Sequence, residues 1–312
     1  MHEQVEHCSE KLILDRFAFL QATTRVEDYI PAVYYDRLLK EYAFSGTTDL
    51  MLFDSFLSTA LLPGRKTFRR ALELGCGTGR SASVLVNNHS FDHADLVDLS
   101  NQMMAGAQER FMEDPRVTFH KSDSLEFLNS ARPPYDVAFS LWSFSHSVHQ
   151  MLLRDGLDVG TKNVKQAIDR LFTELLEPGG KFFLLHFDSC SEEQYILMRQ
   201  WKKIWPIIDS LDEQSPSKQV VDAALQALTD RGIIEYSSVH LMGDAIEYDN
   251  INDAMEVFFN FHLECALNDT PHLPQAVSEI QAYMKAHTTA CGTVQLKPGC
   301  FLYECKRLDQ VY

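Results

Sequence analysis

The chain has 312 residues, of which 45% are hydrophobic and 23% are charged, as is typical of one elaborated globular domain or two small ones. Its 44 acidic and 28 basic residues give a formal net charge of -16, which disfavours nucleic acid and anionic membrane surfaces as partners. The amino-terminal residues lack the pattern of a signal peptide, and no apolar run approaches the length of a membrane span. We therefore expect a cytoplasmic protein that binds neither nucleic acid nor membrane.

The cysteines and histidines give no sign of a structural metal. The seven cysteines form no C-x-x-C pair, so reduced thiols are the expectation for a cytoplasmic chain. The twelve histidines include no pair with the spacing of zinc ligands. The sequence therefore predicts no metal site.

The first seventy residues have apolar positions at helical spacing. The pattern predicts one helix over 34–44 and another over 49–62, the second ended by Pro63 and Gly64. We interpret residues 1–69 as a helical segment that covers the remainder of the chain as a lid.

From residue 70 onward, short apolar runs alternate with helical segments. The predicted strands end near Gly75, Asp98, Asp123, Ser140 and the 186–188 stretch, and a helix over 164–177 is predicted to stop at Pro178-Gly179-Gly180. Such alternation indicates an α/β fold with a doubly wound, mostly parallel sheet. Ligands of such sheets bind outside the carboxyl ends of the strands, so those ends are the candidate site.

After Asp188 the alternation stops, and the pattern predicts four helices and two further strands, for a total of seven. We expect 70–188 to form the core and 189–312 to add helices and closing strands to the same domain. The added helices should cover the open edge of the site.

The segment E-L-G-C-G-T-G, residues 73–79, places three glycines directly after the first predicted strand. Glycines there permit a tight turn and let a ligand touch the backbone. A dinucleotide site is one interpretation, but counting from Gly75 puts Arg80 at the third glycine position of G-x-G-x-x-G. Counting from Gly77 places Ala82 there, an allowed variant. Glu73 would oppose a pyrophosphate and would attract a cationic amino group, which weakens the dinucleotide interpretation.

The pattern E-x-G-x-G-x-G resembles the signature loop of class I S-adenosylmethionine-dependent methyltransferases. Further segments agree in order: Asp98 after the second strand, Asp123-Ser124 after the third, "PYDVAFSLWSFSH" at the fourth and "LLEPGGKFFL" before the fifth. The resemblance covers about residues 70 to 190. Each segment alone also fits a plain structural role, such as a turn or a helix cap, but these roles do not explain the common order.

This resemblance implies S-adenosyl-L-methionine as the cofactor. It places the amino-acid part of the cofactor near Glu73 and the glycines, the ribose hydroxyls on Asp98 and the adenine near Asp123. The expected cofactor-binding residues are Glu73, Gly75, Cys76, Gly77, Gly79, Asp98, Leu99, Asp123, Ser124, Ser140 and Leu141. Cys76 also fits a simpler role as a small buried residue.

Histidines near the strand ends are the candidates for acid-base chemistry. His146 follows the fourth strand and His186 lies in the fifth, and a neutral imidazole accepts a proton near pH 7. The family often carries a histidine where His146 stands. A structural role as a hydrogen-bonded core residue fits either histidine equally well.

Aromatic side chains in the less regular parts are expected to line an acceptor pocket. The expected substrate-binding residues are Tyr34, Tyr35, Trp142, His149, Asp188, Trp201, Phe258 and His262. An aromatic, acid-lined pocket would suit an amine or an organic cation. The layout of the whole chain loosely resembles small-molecule enzymes of the histamine N-methyltransferase type.

The sequence therefore predicts a methyltransferase that methylates nitrogen on a small amine or heterocycle by holding it in line with the sulfonium methyl. Two alternatives stay open. One is an O-methyltransferase with His146 or His186 as the base, and the other is an inactive module that binds the nucleoside and regulates a partner. A monomer or a homodimer is expected.

Overall fold

The computed structural model of the protein describes residues 42–130, 133–205, 207–208, 213–261 and 272–309. Its strands are β1 (Ala43–Phe44), β2 (Thr47–Thr48), β3 (Phe68–Leu74), β4 (Phe91–Asp98), β5 (Val117–Lys121), β6 (Tyr135–Leu141), β7 (Leu176–Phe187), β8 (Ile234–Met242), β9 (Ile246–Tyr248), β10 (Val294–Leu296) and β11 (Gly299–Arg307). Its helices are α1 (Asp49–Ala60), α2 (Ala82–Asn88), α3 (Asn101–Arg110), α4 (Ser124–Leu128), α5 (Phe144–Asp155), α6 (Leu157–Arg170), α7 (Glu192–Ile204), α8 (Pro216–Asp230), α9 (Ile251–Phe261) and α10 (Leu273–Ala286).

A seven-stranded sheet with the order β5-β4-β3-β6-β7-β11-β8 forms the centre of the protein. β3, β4, β5, β6 and β7 pair in parallel, whereas β11 runs antiparallel to both β7 and β8. The strand order reverses direction at β3, so the carboxyl ends of β3 and β6 open a crevice there. The doubly wound, mostly parallel sheet predicted from the sequence is confirmed.

The inner strands are buried on both faces, as strands covered by helices on each side must be. Every residue of β6 is buried, and four consecutive residues at the carboxyl end of β3 are buried as well. The buried side chains of this sheet and its helices form one hydrophobic cluster. The core therefore holds the strand ends rigidly where the site is expected.

The predicted helix over 34–44 is wrong at its carboxyl end. Ala43 and Phe44 form β1, which pairs with β2 through a two-residue turn. Ser45 and Gly46 in that turn have φ of 52° and 77°. Two positive φ values at the centre of a tight hairpin turn match the twist of the flanking strands, so the local turn prevails over the helical apolar spacing. Residues 34–41 lie outside the described part.

The helix that was predicted to stop at Pro178-Gly179-Gly180 ends earlier. α6 passes into a π-helical turn over Leu171–Leu175, and β7 begins at Leu176. Leu176 pairs with Tyr135, and the next pair joins Lys181 to Val137. The Pro-Gly-Gly segment is therefore an irregularity between these two residue pairs of the β6–β7 ladder, since its own residues have no partners there.

The helices α1, α7, α8, α9 and α10 agree with the pattern of the sequence, most of them with shorter ends, whereas α5 and the start of α6 were not predicted. α7 and α8 begin at serine caps, Ser191 and Ser215, whose hydroxyls accept backbone N–H groups of the first turn. The short strands β9 and β10 pair with each other and were not predicted. Among the helices of the described ranges, none has the length and apolar character needed to cross a membrane.

Candidate active site

The glycine loop after β3 is held against the neighbouring strand. The backbone N–H groups of Gly75 and Cys76 both donate to the carbonyl oxygen of Val97, each at 2.8 Å. Gly75, Gly77 and Gly79 have φ of 76°, 54° and 81°, which is the left-handed region that side chains disfavour. The turn therefore requires glycine for its backbone conformation.

Two of these glycines are also required by space. A Cβ on Gly75 would lie 1.8 Å from Oγ of Ser143, and a Cβ on Gly79 would lie 2.5 Å from a ring carbon of Phe111. Real Cβ contacts are never this short, so the loop passes closer to its neighbours than any other residue permits. The glycines therefore let the loop pack closely against Ser143 and Phe111.

Asp98, the last residue of β4, connects the glycine loop to β4. Its Oδ2 accepts the backbone N–H of Gly77 at 2.7 Å, and its Oδ1 accepts that of Ser100 at 2.8 Å. Burial raises the pKa of Asp98, and the backbone N–H groups of Ser100 and Gly77 partly oppose that rise. Each carboxylate oxygen retains a second lone pair, so Asp98 can still accept hydroxyl groups.

Glu73 lies beneath the loop and is fully buried. Its Oε1 accepts the hydroxyl of Ser81, whereas its Oε2 is buried without a partner. Burial raises the pKa of Glu73 to about 8, the Ser81 hydroxyl opposes the rise and the charge of Asp98 adds to it. An unpaired buried carboxyl oxygen at this position fits a ligand that brings an ammonium group to the loop, because such a group would supply the missing partner.

Asp49, the first residue of α1, is an unpredicted member of the site. Both of its carboxylate oxygens accept hydrogen bonds from the guanidinium of Arg80, each at 2.7 Å. Its Oδ2 also accepts the indole N–H of Trp142 at 2.8 Å. Trp142 follows β6 with a φ of 70° and stacks on Tyr42 with ring centroids 4.8 Å apart. Its centroid lies 4.9 Å from that of Phe187, with the two rings tilted by 40°. The buried Asp49 thus joins α1 to the glycine loop and to Trp142 at the end of β6.

The other predicted cofactor residues lie along the same edge of the sheet. Asp123 caps α4, since its Oδ1 accepts the N–H groups of Leu125 and Glu126. Ser124, Leu141 and Cys76 are buried, and Leu99 is 60% exposed. The hydroxyl of Ser140 donates to the carbonyl of Leu74 at 2.6 Å and accepts the N–H of Phe144 at 3.2 Å. The roles of these residues towards a cofactor stay predictions.

Three predicted histidines meet at a second part of the site. His146 and His149 on α5 and His186 on β7 line one cavity, together with Trp201 from α7. Ser145 lines this cavity and lies two residues after Ser143, which packs against Gly75. The glycine loop and the histidine cavity therefore lie side by side at the carboxyl ends of β3, β6 and β7.

Burial determines the protonation of two of these histidines. Burial lowers the pKa of His149 to about 4 and that of His186 to about 4, so both imidazoles are neutral at pH 7. His186 directs Nδ1 to the carbonyl of Phe187 at 2.9 Å and Nε2 to the hydroxyl of Ser217 at 3.5 Å. His149 stacks on Trp201 with ring centroids 4.9 Å apart.

Asp188 faces away from the cavity. Its Oδ1 accepts from the N–H of Cys190 and from the side-chain amide of Gln214, each at 2.9 Å, and its Oδ2 lies 2.7 Å from Nε2 of His240. The expectation of an acid-lined pocket is therefore wrong for the described residues, because β8 and Gln214 take up the one carboxylate that the sequence offered. Phe258 is buried on α9 and does not line the cavity. The remaining predicted substrate residues, Tyr34, Tyr35 and His262, lie outside the described residues.

Residues 71–180 match the family model of a methyltransferase domain. The match confirms the predicted cofactor, S-adenosylmethionine. It spans the sheet from β3 to the first part of β7 and includes the glycine loop, Asp98 and Asp123. The helices α7 and α8 beside the histidine cavity lie outside it, so the match says nothing about the methyl acceptor.

Comparison with curated proteins gives no match. Among solved structures, YcgJ from Bacillus subtilis is 16% identical with a TM-score of 0.48, covering 82% of this chain and 98% of its own. A phosphoethanolamine N-methyltransferase 2 from Haemonchus contortus is 18% identical with a TM-score of 0.48, covering 89% and 57%. The plantazolicin methyltransferase BpumL is 13% identical with a TM-score of 0.47, covering 98% and 100%. The finer resemblance to histamine N-methyltransferases is not confirmed by these comparisons.

Proposed function

We propose that the protein transfers the methyl group of S-adenosylmethionine to a nitrogen of a small molecule bound in the histidine cavity. The observation that carries this proposal is the junction at Ser143. This residue packs against Gly75 on one side and starts the helix that bears His146 and His149 on the other. A donor on the glycine loop and an acceptor in the cavity would therefore meet at the first turn of α5.

The residues of the loop suit each part of the cofactor. Asp98 would accept the ribose hydroxyls with its free lone pairs, and Glu73 would pair with the ammonium of the amino-acid part. When bound, the cofactor supplies a methyl carbon that bonds to the acceptor lone pair as the carbon–sulfur bond breaks and its electron pair stays on sulfur.

The state of the histidines favours nitrogen over oxygen as the accepting atom. A hydroxyl must lose its proton on attack, which requires a base with a pKa near the working pH. The pKa of His186 at about 4 makes this residue a weak base. A neutral nitrogen attacks through its lone pair without prior proton loss, so the cavity has only to orient it and exclude water.

Calorimetry with S-adenosylhomocysteine tests the donor site. Asp98→Ala should weaken binding by about tenfold or more, since a hydrogen bond to a charged group contributes about 1.5–3 kcal/mol. Asp92→Ala is the matched control, because Asp92 is an exposed carboxylate on the same strand. Absence of binding by the unmodified protein, or equal binding by both variants, would contradict the proposal.

Transfer itself is tested with labelled S-adenosylmethionine and a panel of small amines, nitrogen heterocycles and hydroxyl compounds. Label recovered on nitrogen supports the proposal. Label recovered on oxygen, with turnover lost in His146→Ala, would establish the O-methyltransferase alternative. Tight binding of the nucleoside with no transfer to any compound would instead identify an inactive binding module.

A further inference from the structure

The histidine cavity is polar, yet no aspartate, glutamate, lysine or arginine stands among the described residues that line it. Four serines, a glutamine and three histidines supply the polar groups, and Phe187, Met198 and Trp201 supply apolar surface. His149 and His186 are neutral because burial lowers their pKa to about 4. A wall of this kind offers hydrogen bonds without a fixed carboxylate or ammonium partner.

Two polar atoms in the cavity have no partner. Nε2 of His149 and Nε1 of Trp201 are buried and make no hydrogen bond within the protein. The two residues are only 4% and 7% exposed, and their rings stack at 4.9 Å with an angle of 20° between the planes. A buried donor or acceptor without a partner costs about 1–3 kcal/mol, so two such atoms side by side indicate a missing hydrogen-bonding group.

Two acidic groups close in sequence to the residues of the cavity are engaged elsewhere. Asp188 is hydrogen-bonded to Gln214 and His240, and Glu193 accepts the hydroxyl of Tyr42 at 2.7 Å. A cationic ligand in the cavity would therefore lose its water without gaining a carboxylate. An anionic ligand would likewise meet no lysine or arginine in the wall. Burying an unpaired charge is far more costly than burying a neutral polar group.

We infer that the cavity binds an uncharged, planar compound that accepts a hydrogen bond from the indole N–H of Trp201 and bonds to Nε2 of His149. Neutral nitrogen heterocycles have this chemistry. The cavity volume is about 30 Å³, which is narrow, so a flat ring enters only when the unbranched Met198 side chain rotates aside. This inference rests on the proposed function for its biological meaning, since the bound compound would be the methyl acceptor.

Three pyridines that share one ring test the inference at neutral to slightly alkaline pH: nicotinamide is neutral, nicotinate is an anion and 3-(aminomethyl)pyridine is a cation. Each is titrated into protein labelled with ¹⁵N-tryptophan and saturated with S-adenosylhomocysteine. The indole N–H signals are assigned with the variants W142F, W201F and W205F. Nicotinamide should shift the Trp201 signal saturably and bind about tenfold more tightly than either charged pyridine.

Two variants isolate the unpaired atoms. Trp201→Phe removes the indole nitrogen, His149→Phe removes both imidazole nitrogens, and each variant keeps a ring in the stack. Each should weaken nicotinamide binding about fivefold to tenfold. Trp205→Phe is the matched control. Trp205 is the residue that follows α7, its ring centroid lies 4.6 Å from that of Trp201, and its nitrogen is not among the buried atoms without a partner. It should change binding by less than about twofold.

Several results would overturn the inference. The first is that either charged pyridine binds as tightly as nicotinamide or more tightly. The second is that Trp201→Phe and Trp205→Phe weaken nicotinamide binding equally. The third is that none of the three compounds shifts the Trp201 signal, because the cavity holds only water. Binding of S-adenosylhomocysteine is measured on the same samples. Its loss would contradict the proposed function, whereas its retention with any of the results above would overturn only the assignment of the cavity.

Discussion

Asp49 and Arg80 form a two-point ion pair between α1 and the glycine loop, with each carboxylate oxygen 2.7 Å from a guanidinium nitrogen. Asp49 is fully buried, and the side chain of Arg80 is 12% exposed. The pair holds the start of α1 against the residue that follows the third glycine. The ion pair therefore couples α1 to the glycine loop, which is expected to hold the cofactor.

Asp49→Asn should destabilise the protein by about 3 kcal/mol, because it removes the buried carboxylate charge that faces the guanidinium of Arg80. Urea unfolding measures this change, and calorimetry with S-adenosylhomocysteine should show weaker binding as the loop loosens. Arg80→Lys keeps the charge but loses the two-point geometry, so a smaller loss is expected. Asp54→Asn is the control, since Asp54 lies on the same helix with its side chain 41% exposed. Equal losses for Asp49→Asn and Asp54→Asn would contradict the coupling.

The sequence predicted what depends on neighbouring residues along the chain. The strands before Gly75 and Asp98 follow from short apolar runs closed by turn residues, and the glycine loop follows from its own spacing. The strand β1 was missed because the helical apolar spacing before it continues into Ala43 and Phe44, whereas the tight turn at Ser45-Gly46 determines the structure.

Contacts between residues that are distant along the chain could not be predicted from the sequence. Asp49 meets Arg80 and Trp142 only after folding, and no spacing rule connects them. The histidine cavity lacks the carboxylate of Asp188, because Asp188 bonds to Gln214 and His240, which lie far along the chain. The position of Asp188 after the fifth predicted strand therefore suggested an acid-lined pocket, whereas in the fold its carboxylate contacts Gln214 and His240.

Gly75→Ala should impair both folding and cofactor binding. A non-glycine residue at a φ of 76° costs about 1 kcal/mol, and the new Cβ would also overlap the side chain of Ser143. Gly64→Ala is a matched control, because Gly64 has a φ of 77° and open space where its Cβ would lie. Thermal unfolding should show a modest loss for Gly64→Ala and a larger one for Gly75→Ala. Binding of S-adenosylhomocysteine should be lost only in Gly75→Ala, and loss in both would contradict the role of the close approach.

Glu73 should release a proton when the cofactor binds. Its pKa is raised to about 8 by burial, so the carboxyl is mostly protonated at neutral pH before binding. An ammonium group near Oε2 would lower that pKa and expel the proton. Calorimetry with S-adenosylhomocysteine in buffers of different ionisation enthalpy should therefore show the release of up to about one proton near pH 7.

The variant Glu73→Gln provides the control for this measurement, because it keeps the shape of the side chain and cannot ionise. Its binding should be independent of the buffer. The release in the unmodified protein should vanish about one unit above the raised pKa, where Glu73 is already ionised. Equal proton release in the two proteins would show that the ammonium group does not lie at Glu73.

The buried histidines should make the protein sensitive to mild acid. The pKa of His149 and that of His186 are lowered by burial to about 4, whereas an unfolded histidine titrates near about 6.5. The unfolded state therefore binds protons first as the pH falls. The stability that each neutral histidine contributes is complete above about pH 6.5 and is lost progressively towards pH 4, with a slope of up to about 1.4 kcal/mol per pH unit.

Urea unfolding across this range should show a shallower fall in the free energy of unfolding for His149→Phe than for the unmodified protein. The variant removes one titrating group and keeps a ring stacked on Trp201. Well above about pH 6.5 both proteins should show no histidine-dependent slope, which separates the protonation effect from any general loss of packing. Parallel curves between about pH 6.5 and 4 would mean that His149 is accessible to protons in the folded protein, and the cavity would then be open to water.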